Sequence, residues 1–142
     1  IFIEKLALSD KIGTFNFYQA GGASSLLKPT QSFNDVYFHS DLEHPIVVET
    51  TTLDTWAKNK GVNYIDFLWL DMEGNELNAL KGAPEMLKTV KVIYTEVNLQ
   101  NFWEGCVRYP ELEKWLKQNG FIKIWEDIVP GWHGNVLFVR SD

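Results

Sequence analysis

Four carboxylates near the ends of two apolar segments are the residues whose types and spacing could do chemistry. Asp71, Glu73 and Glu76 follow an apolar stretch that ends at Leu70, and Glu96 lies near the end of a later apolar segment. Carboxylates placed together can accept a proton from a hydroxyl, hold a divalent cation, or bind hydroxyls and amines through charge-assisted hydrogen bonds. Crowding also raises their pKa values, which suits a general base.

The same spacing leaves a structural alternative open. Acidic side chains in the first turn of a helix stabilise the positive end of its dipole. A helical pattern follows Asp71, Glu73 and Glu76 directly. Local sequence therefore supports both a catalytic role and a helix-stabilising role for these three residues.

The elements that must position the carboxylates alternate along the chain. Residues 64–70 predict a strand buried on both faces, because nearly every position is apolar. A helix and then a strand at 91–97 follow, so Asp71 and Glu96 would end neighbouring parallel strands about 4.8 Å apart. Ligands bind just beyond such strand ends in open parallel sheets. Asp71, Glu73 and Glu96 would therefore share one edge of the sheet.

The chain is expected to be a single α/β domain, residues 1–142. From residue 46 onward the order is strand, helix, strand, helix, strand, helix, strand, strand, which predicts a mainly parallel sheet. A short linker joins the last two strands, 121–125 and 135–140, so these should form an antiparallel edge.

The first third of the chain has weaker patterns. Residues 1–8 predict a strand, and residues 14–18 alternate in the manner of another. The stretch from Gly21 to about residue 44 has little periodicity, which predicts a flexible loop.

Composition excludes several classes of function. The net charge is −6, from 19 acidic and 13 scattered basic residues, which argues against nucleic-acid binding. No apolar run approaches the roughly 20 residues of a membrane span. Cys106 is the only cysteine, so the chain has no disulfide framework and no thiolate metal site. A reducing, cytoplasmic setting is the resulting expectation.

Several segments together resemble one enzyme family. The sequences Ala-Leu-Ser-Asp at 7–10, Thr-Leu-Asp at 52–54 and the block at 65–76 are similar to those of the FkbM methyltransferases. The most specific part is Asp-x-Glu-Gly-x-Glu, with Leu-Lys-Gly-Ala behind it at 80–83. The resemblance runs over nearly the whole chain. It implies a Rossmann-like class I fold and methyl transfer from S-adenosylmethionine, typically to an oxygen of a sugar or small natural product.

The resemblance also implies roles for particular residues. Ala7, Leu8 and Ser9 would lie near the adenine of the cofactor, with Asp71 and Glu73 beside the methyl donor and the acceptor. Because methyl transfer requires mainly alignment and a proton acceptor, we expect Asp71 to be the base.

The remaining site residues are assigned by position. Glu73 and Glu96 are expected to act alongside Asp71 as catalytic residues. Three further residues in predicted loops could form the pocket for the acceptor: Trp103, Trp132 and His133. His133 could instead be an ordinary exposed hairpin residue. We assign no metal ligands, since no His pair has metal-binding spacing.

The chain departs from the family at several points. It has Trp69 where the family usually has Lys, and Asn75 where His is frequent. The Gly-rich loop and the acidic residue that normally hold the methionine and ribose parts of the cofactor have no counterpart. The chain therefore resembles a methyltransferase domain without its first two strand–helix units. The strand at 64–70 would then have a bare apolar edge, which predicts either a longer natural protein or a homodimer formed through that edge.

Two other functions compete with methyl transfer. A non-catalytic domain could bind a carbohydrate or a protein partner through its Trp-bearing loops, and the lack of the Gly-rich loop favours this alternative. A metal-dependent hydrolase would need more ligands than the sequence offers. The retained acidic residues favour the methyltransferase over the non-catalytic domain.

Overall fold

The computed structural model describes residues 2–36, 42 and 44–141. Part of the predicted flexible loop, residues 37–41 and 43, lies outside the described residues, as does Ile1. The described strands form two sheets with helices packed against them.

The first sheet has three strands in the order β1-β3-β2. They are β1 (Ala7–Leu8), β2 (Gly13–Phe17) and β3 (Ile46–Thr51). The β1 strand pairs parallel to the end of β3, and β2 pairs antiparallel along the whole of it.

The second sheet has four strands in the order β4-β5-β7-β6. They are β4 (Phe67–Leu70), β5 (Val92–Asn98), β6 (Phe121–Ile128) and β7 (His133–Arg140). The β4 and β5 strands are parallel, whereas β7 is antiparallel to both β5 and β6. The predicted antiparallel edge at the end of the chain is therefore confirmed.

The described helices are short. They are α1 (Gln31–Val36), α2 (Leu53–Lys60), α3 (Glu76–Lys81) and α4 (Tyr109–Gln118), with 3-10 turns at Gly21–Ala23 and Met86–Lys88. Thr52 caps α2, because its Oγ1 accepts a hydrogen bond from the Thr55 N–H at 3.1 Å.

The main core lies between the second sheet and helices α2 to α4. Its fully buried side chains come from strands and helices alike: Leu80, Ile93, Leu112, Leu116, Phe121, Val136 and Phe138. A smaller cluster joins the first third of the chain to the loop after β5, through Ala20, Phe33, Leu42, Phe102 and Trp103.

The mainly parallel sheet predicted from the sequence is not what the described residues form. Three of the five strand pairings are antiparallel, and the strands divide into two sheets. Element order alone misses this division, because β2 folds back beside β3 and the terminal hairpin adds two more antiparallel contacts. The observed architecture is mixed α/β.

Two strands differ from the prediction, the first in its length and the second in its burial. Among the described residues of the predicted strand at 1–8, only Ala7 and Leu8 are in a strand, since residues 2–6 pair with no other strand. The β4 strand is not buried on both faces, because Phe67 is 53% and Trp69 64% exposed. Leu68 and Leu70 point to the opposite side, and Leu70 is buried. The β4 strand is therefore covered on one face only.

Candidate functional site

The acidic residues predicted to share a sheet edge are brought together by the β4–β5 pairing. Leu70 lies opposite Thr95 in the parallel register, so Asp71 and Glu96 follow at the same end of the two strands. Carboxylate oxygens of Asp71, Glu73 and Glu96 all lie within 4.8 Å of one another. We call these three residues the carboxylate cluster.

Glu76 has a structural role instead. Its carboxylate accepts hydrogen bonds from the Met72 N–H at 2.9 Å and the Gly74 N–H at 3.3 Å. The side chain is only 2% exposed and folds back over the turn between β4 and α3. The helix-stabilising alternative thus describes Glu76, whose carboxylate holds the turn that carries Glu73.

The turn itself is tightly constrained. Glu73 has φ of 51° and Gly74 has φ of 92°, a left-handed pair in which only the second residue is a glycine. A Cβ at Gly74 would lie 2.8 Å from the Cys106 Cβ. Ser25 Oγ also donates to the Glu73 carbonyl at 2.8 Å. These contacts fix the direction of the Glu73 side chain toward the cluster.

Two carboxyl groups of the cluster, those of Glu73 and Glu96, have raised pKa values. Burial, followed by the nearby charges of Asp71 and Glu76, raises the pKa of Glu73 from 4.5 to about 7, although a hydrogen bond from Trp103 opposes this shift. Burial, followed by the charges of Glu73, Glu76 and Asp71, raises the pKa of Glu96 to about 8. Groups with pKa values near neutrality can exchange protons with a substrate.

A small pocket of about 50 Å³ lies beside the cluster. Its lining joins two of the carboxylates to polar and aromatic side chains: Glu73, Glu96, Asn98, Phe33, Phe102, Trp103 and His133. His133 Nδ1 lies 3.2 Å from Glu96 Oε1 but forms no hydrogen bond with any of the described residues. Polar and aromatic side chains therefore share this pocket with the two carboxylates.

The three residues predicted to form an acceptor pocket do not all line the small pocket. Trp103 is 2% exposed, and its ring packs against the ring of Phe33 with the two centroids 4.4 Å apart. It is therefore a buried wall of the small pocket. His133 is the first residue of β7 and lies beside Glu96. Trp132 packs against Phe102 and does not line the small pocket. The predicted loop position of His133 is therefore wrong.

The strand predicted at 91–97 stops one residue short of Asn98, and the sequence analysis misses Asn98 as a site residue. Asn98 is the last residue of β5, two positions after Glu96, so both side chains point to the same face of the strand. It lies opposite His133 in the antiparallel register. The two-residue spacing from Glu96 at a strand end was the signal that could have identified it.

A second, larger cavity lies between the two sheets. Its volume is about 810 Å³, within the range of small-molecule sites, and it runs from β1 to β4. Of the residues predicted to contact the cofactor, Ala7, Leu8 and Asp71 line this cavity, whereas Ser9 is buried and does not. Asn75 joins the two sheets at one end, where its Nδ2 donates to the Leu8 carbonyl at 2.9 Å.

The carboxylate cluster also has the size of a cation site. Oxygen ligands this close could bind one divalent ion. Groups of acidic residues are common without an ion, so we assign no metal to the cluster.

The mixed α/β architecture, with a ligand-sized cavity at the strand ends, is consistent with an α/β methyltransferase. The chain belongs to the FkbM methyltransferase family, since the family model for the methyltransferase FkbM domain matches residues 2–123. It is also similar to the 2-O-methyltransferase NoeI of Sinorhizobium fredii, with 31% identity over 110 residues.

That similarity covers 71% of this chain and 45% of the relative, so the chain spans about half the length of the curated protein it matches. No solved structure matches the chain. Within the described residues, every helix is too short or too polar to cross a membrane.

Proposed function

We propose that this domain is an S-adenosylmethionine-dependent methyltransferase that methylates a hydroxyl of a sugar or small natural product. One observation carries the proposal: the carboxylate cluster stands between the large cavity and the small polar pocket, because Asp71 lines the former while Glu73 and Glu96 line the latter. Methyl transfer needs a donor and an acceptor on two sides of one proton-accepting group. The name of the relative, a 2-O-methyltransferase, supports an oxygen acceptor.

The large cavity fits part of the proposed cofactor. Apolar side chains such as Leu68 and Leu70 line it, and these suit an adenine ring near Ala7 and Leu8. The exposed Asp71 carboxylate at its rim suits a positively charged sulfonium group. The Rossmann-like class I arrangement is proposed for the chain from its membership of the FkbM family.

The chain's own residues would align the acceptor and take its proton. S-adenosylmethionine supplies, when bound, an electrophilic methyl carbon on a positively charged sulfur. Asp71 would accept the proton of the attacking hydroxyl, while Glu73 and Glu96 hold the acceptor beside it. Glu76 keeps the turn in place through its bonds to Met72 and Gly74.

The Asp71→Asn variant tests the proposed base. Because a positioned base contributes about 10²- to 10⁴-fold to rate, we expect turnover to fall by at least about 100-fold while the fold is kept. Methyl transfer and calorimetric binding of S-adenosylmethionine would be measured on the same samples. Asp66→Asn is the matched control, since the Asp66 side chain lies on the surface and forms an ion pair with Lys91 at 2.6 Å. Retained turnover in Asp71→Asn would exclude the base role.

A non-catalytic carbohydrate- or partner-binding domain stays the alternative to this enzyme. Failure to bind S-adenosylmethionine, together with glycan binding that survives Asp71→Ala, would favour it. The cytoplasmic setting expected from the lone Cys106 stays a prediction.

A further inference from the structure

Three buried polar atoms without hydrogen-bond partners among the described residues meet at the small pocket. They are Glu96 Oε2, Asn98 Nδ2 and His133 Nδ1. All three residues line the same pocket of about 50 Å³. Leaving a buried polar group unpaired is costly, so three such groups in one place indicate a position built for a polar ligand.

Asn98 is the most informative of the three. It is 4% exposed, so its side-chain amide has no access to bulk water that would satisfy it. The amide nitrogen can only donate hydrogen bonds. No carboxylate of the cluster accepts from it, although Glu96 lies two residues away on the same face of β5.

An unpaired donor beside an unpaired carboxylate oxygen complements a hydroxyl group. A hydroxyl can donate its hydrogen to Glu96 Oε2 and accept from Asn98 Nδ2 with the same oxygen. An ammonium group would suit the carboxylate but has no lone pair for Asn98. The pocket is large enough for one hydroxyl-bearing carbon and too small for a sugar ring.

We propose that Asn98 and Glu96 bind a non-reacting hydroxyl of the acceptor, next to the hydroxyl that is methylated at Asp71. This inference rests on the proposed function and names its substrate class, a vicinal diol such as that of a sugar ring. Asp71 and Glu96 offer oxygens within 4.8 Å of each other, so two adjacent hydroxyls can reach both carboxylates at once. The anchored hydroxyl keeps its proton, and the reacting hydroxyl gives its proton to Asp71.

The geometry implies selection against acceptors that lack the second hydroxyl. A site that hydrogen-bonds a substrate hydroxyl rejects the deoxy analogue strongly, because the analogue leaves buried polar groups unpaired. Asn98 is in this sense a specificity-determining residue. Its loss should reduce discrimination between a diol and its deoxy analogue more than it reduces cofactor binding.

Binding can be tested without turnover by observing the Asn98 side-chain amide in the ¹⁵N-labelled chain. Methyl glycosides of the common hexoses would be the probes, and the Asn98 resonances would be assigned by their loss in Asn98→Leu or, if that variant does not fold, in Asn98→Asp. Saturable movement of these resonances is expected, with no movement for the exposed Asn101 amide. An unchanged Asn98 amide with every glycoside would overturn the proposal.

Specificity is tested by methyl transfer to a glycoside and to its deoxy analogue. We expect wild-type kcat/KM to favour the diol, and Asn98→Leu to lower kcat/KM for the diol by about 100-fold with little change for the deoxy compound. Asn101→Leu should behave as the wild type. Equal discrimination in Asn98→Leu and wild type would overturn the role of Asn98 and leave methyl transfer standing. Glycoside binding at Asn98 without any methyl transfer would support the hydroxyl pocket and reject the proposed reaction.

Discussion

At the scale of single residues, the surroundings of the Glu96 carboxyl group oppose its negative charge. It is 9% exposed and lies beside three other acidic residues, all of which favour its neutral form. A role in binding a hydroxyl is compatible with this state, because either carboxyl oxygen can accept a hydrogen bond. The same surroundings make the protein's stability depend on pH.

The direction of that dependence follows from the raised pKa of Glu96. The group binds a proton more tightly in the folded chain, where its pKa is about 8, than at its ordinary value of 4.5. Its contribution to stability is therefore complete below pH 4.5 and is lost as the pH rises through about 8. Chemical denaturation of the wild type should give a free energy of unfolding that decreases across this range.

Glu96→Gln should flatten this pH dependence. Since glutamine stays neutral, we expect the variant to be more stable than the wild type at pH 8 by roughly 1 to 3 kcal/mol. Glu111→Gln, which changes an exposed carboxylate on α4, is the matched control and should leave the pH dependence of the wild type in place. A steeper or unchanged dependence in Glu96→Gln would contradict the burial of this charge.

At the scale of elements, the Leu-Lys-Gly-Ala motif at 80–83, where α3 ends, acts mainly through close packing. Gly82 follows α3, and a Cβ placed there would lie 2.3 Å from the Ser9 carbonyl oxygen and 3.2 Å from the Thr52 Cβ. Asp54 of α2 accepts from the Glu85 and Met86 N–H groups at 2.9 and 2.8 Å. These contacts fasten β1 and α2 to the end of α3, so the motif positions β1, which lines the large cavity.

Gly82→Ala should consequently destabilise the domain. The added methyl group meets backbone that cannot rotate away, so we expect a loss of roughly 1 to 3 kcal/mol in the free energy of unfolding. Gly22→Ala is the control, because a Cβ there meets nothing within 4 Å. Equal stability of the two variants would show that β1 is not held against Gly82.

How much of this could be predicted from the sequence depends on the range of the interactions. The strand–turn–helix around Asp71 was predictable, because apolar runs and helix-start signals are local. The adjacency of Asp71 and Glu96 also followed, since parallel strands end at one edge. The division into two sheets was not predictable, because it depends on which strands, distant in the sequence, pair with each other. Asn98 was missed because a strand end and a loop start have the same composition.

At the scale of the whole molecule, the second sheet leaves one aromatic face uncovered. Trp69, Tyr94 and Trp125 lie in a row across it, with ring centroids 5.7 Å and 6.3 Å apart. Trp69 is 64% and Trp125 47% exposed, and β4 is the outer strand of the sheet. We call these three residues the aromatic row. Contiguous exposed apolar surface of this kind usually marks a contact site.

We propose that two copies of this chain associate through the β4 edge and the aromatic row. Trp69→Lys should shift the association to higher protein concentration by at least about tenfold, because an edge lysine opposes strand pairing. Sedimentation over a range of concentrations would measure it, with Ile12→Lys as the control, since Ile12 is 65% exposed in the turn before β2. A wild-type chain that is folded and monomeric at every concentration would contradict pairing through this edge. Association that Trp69→Lys leaves unchanged would place the contact elsewhere on the surface.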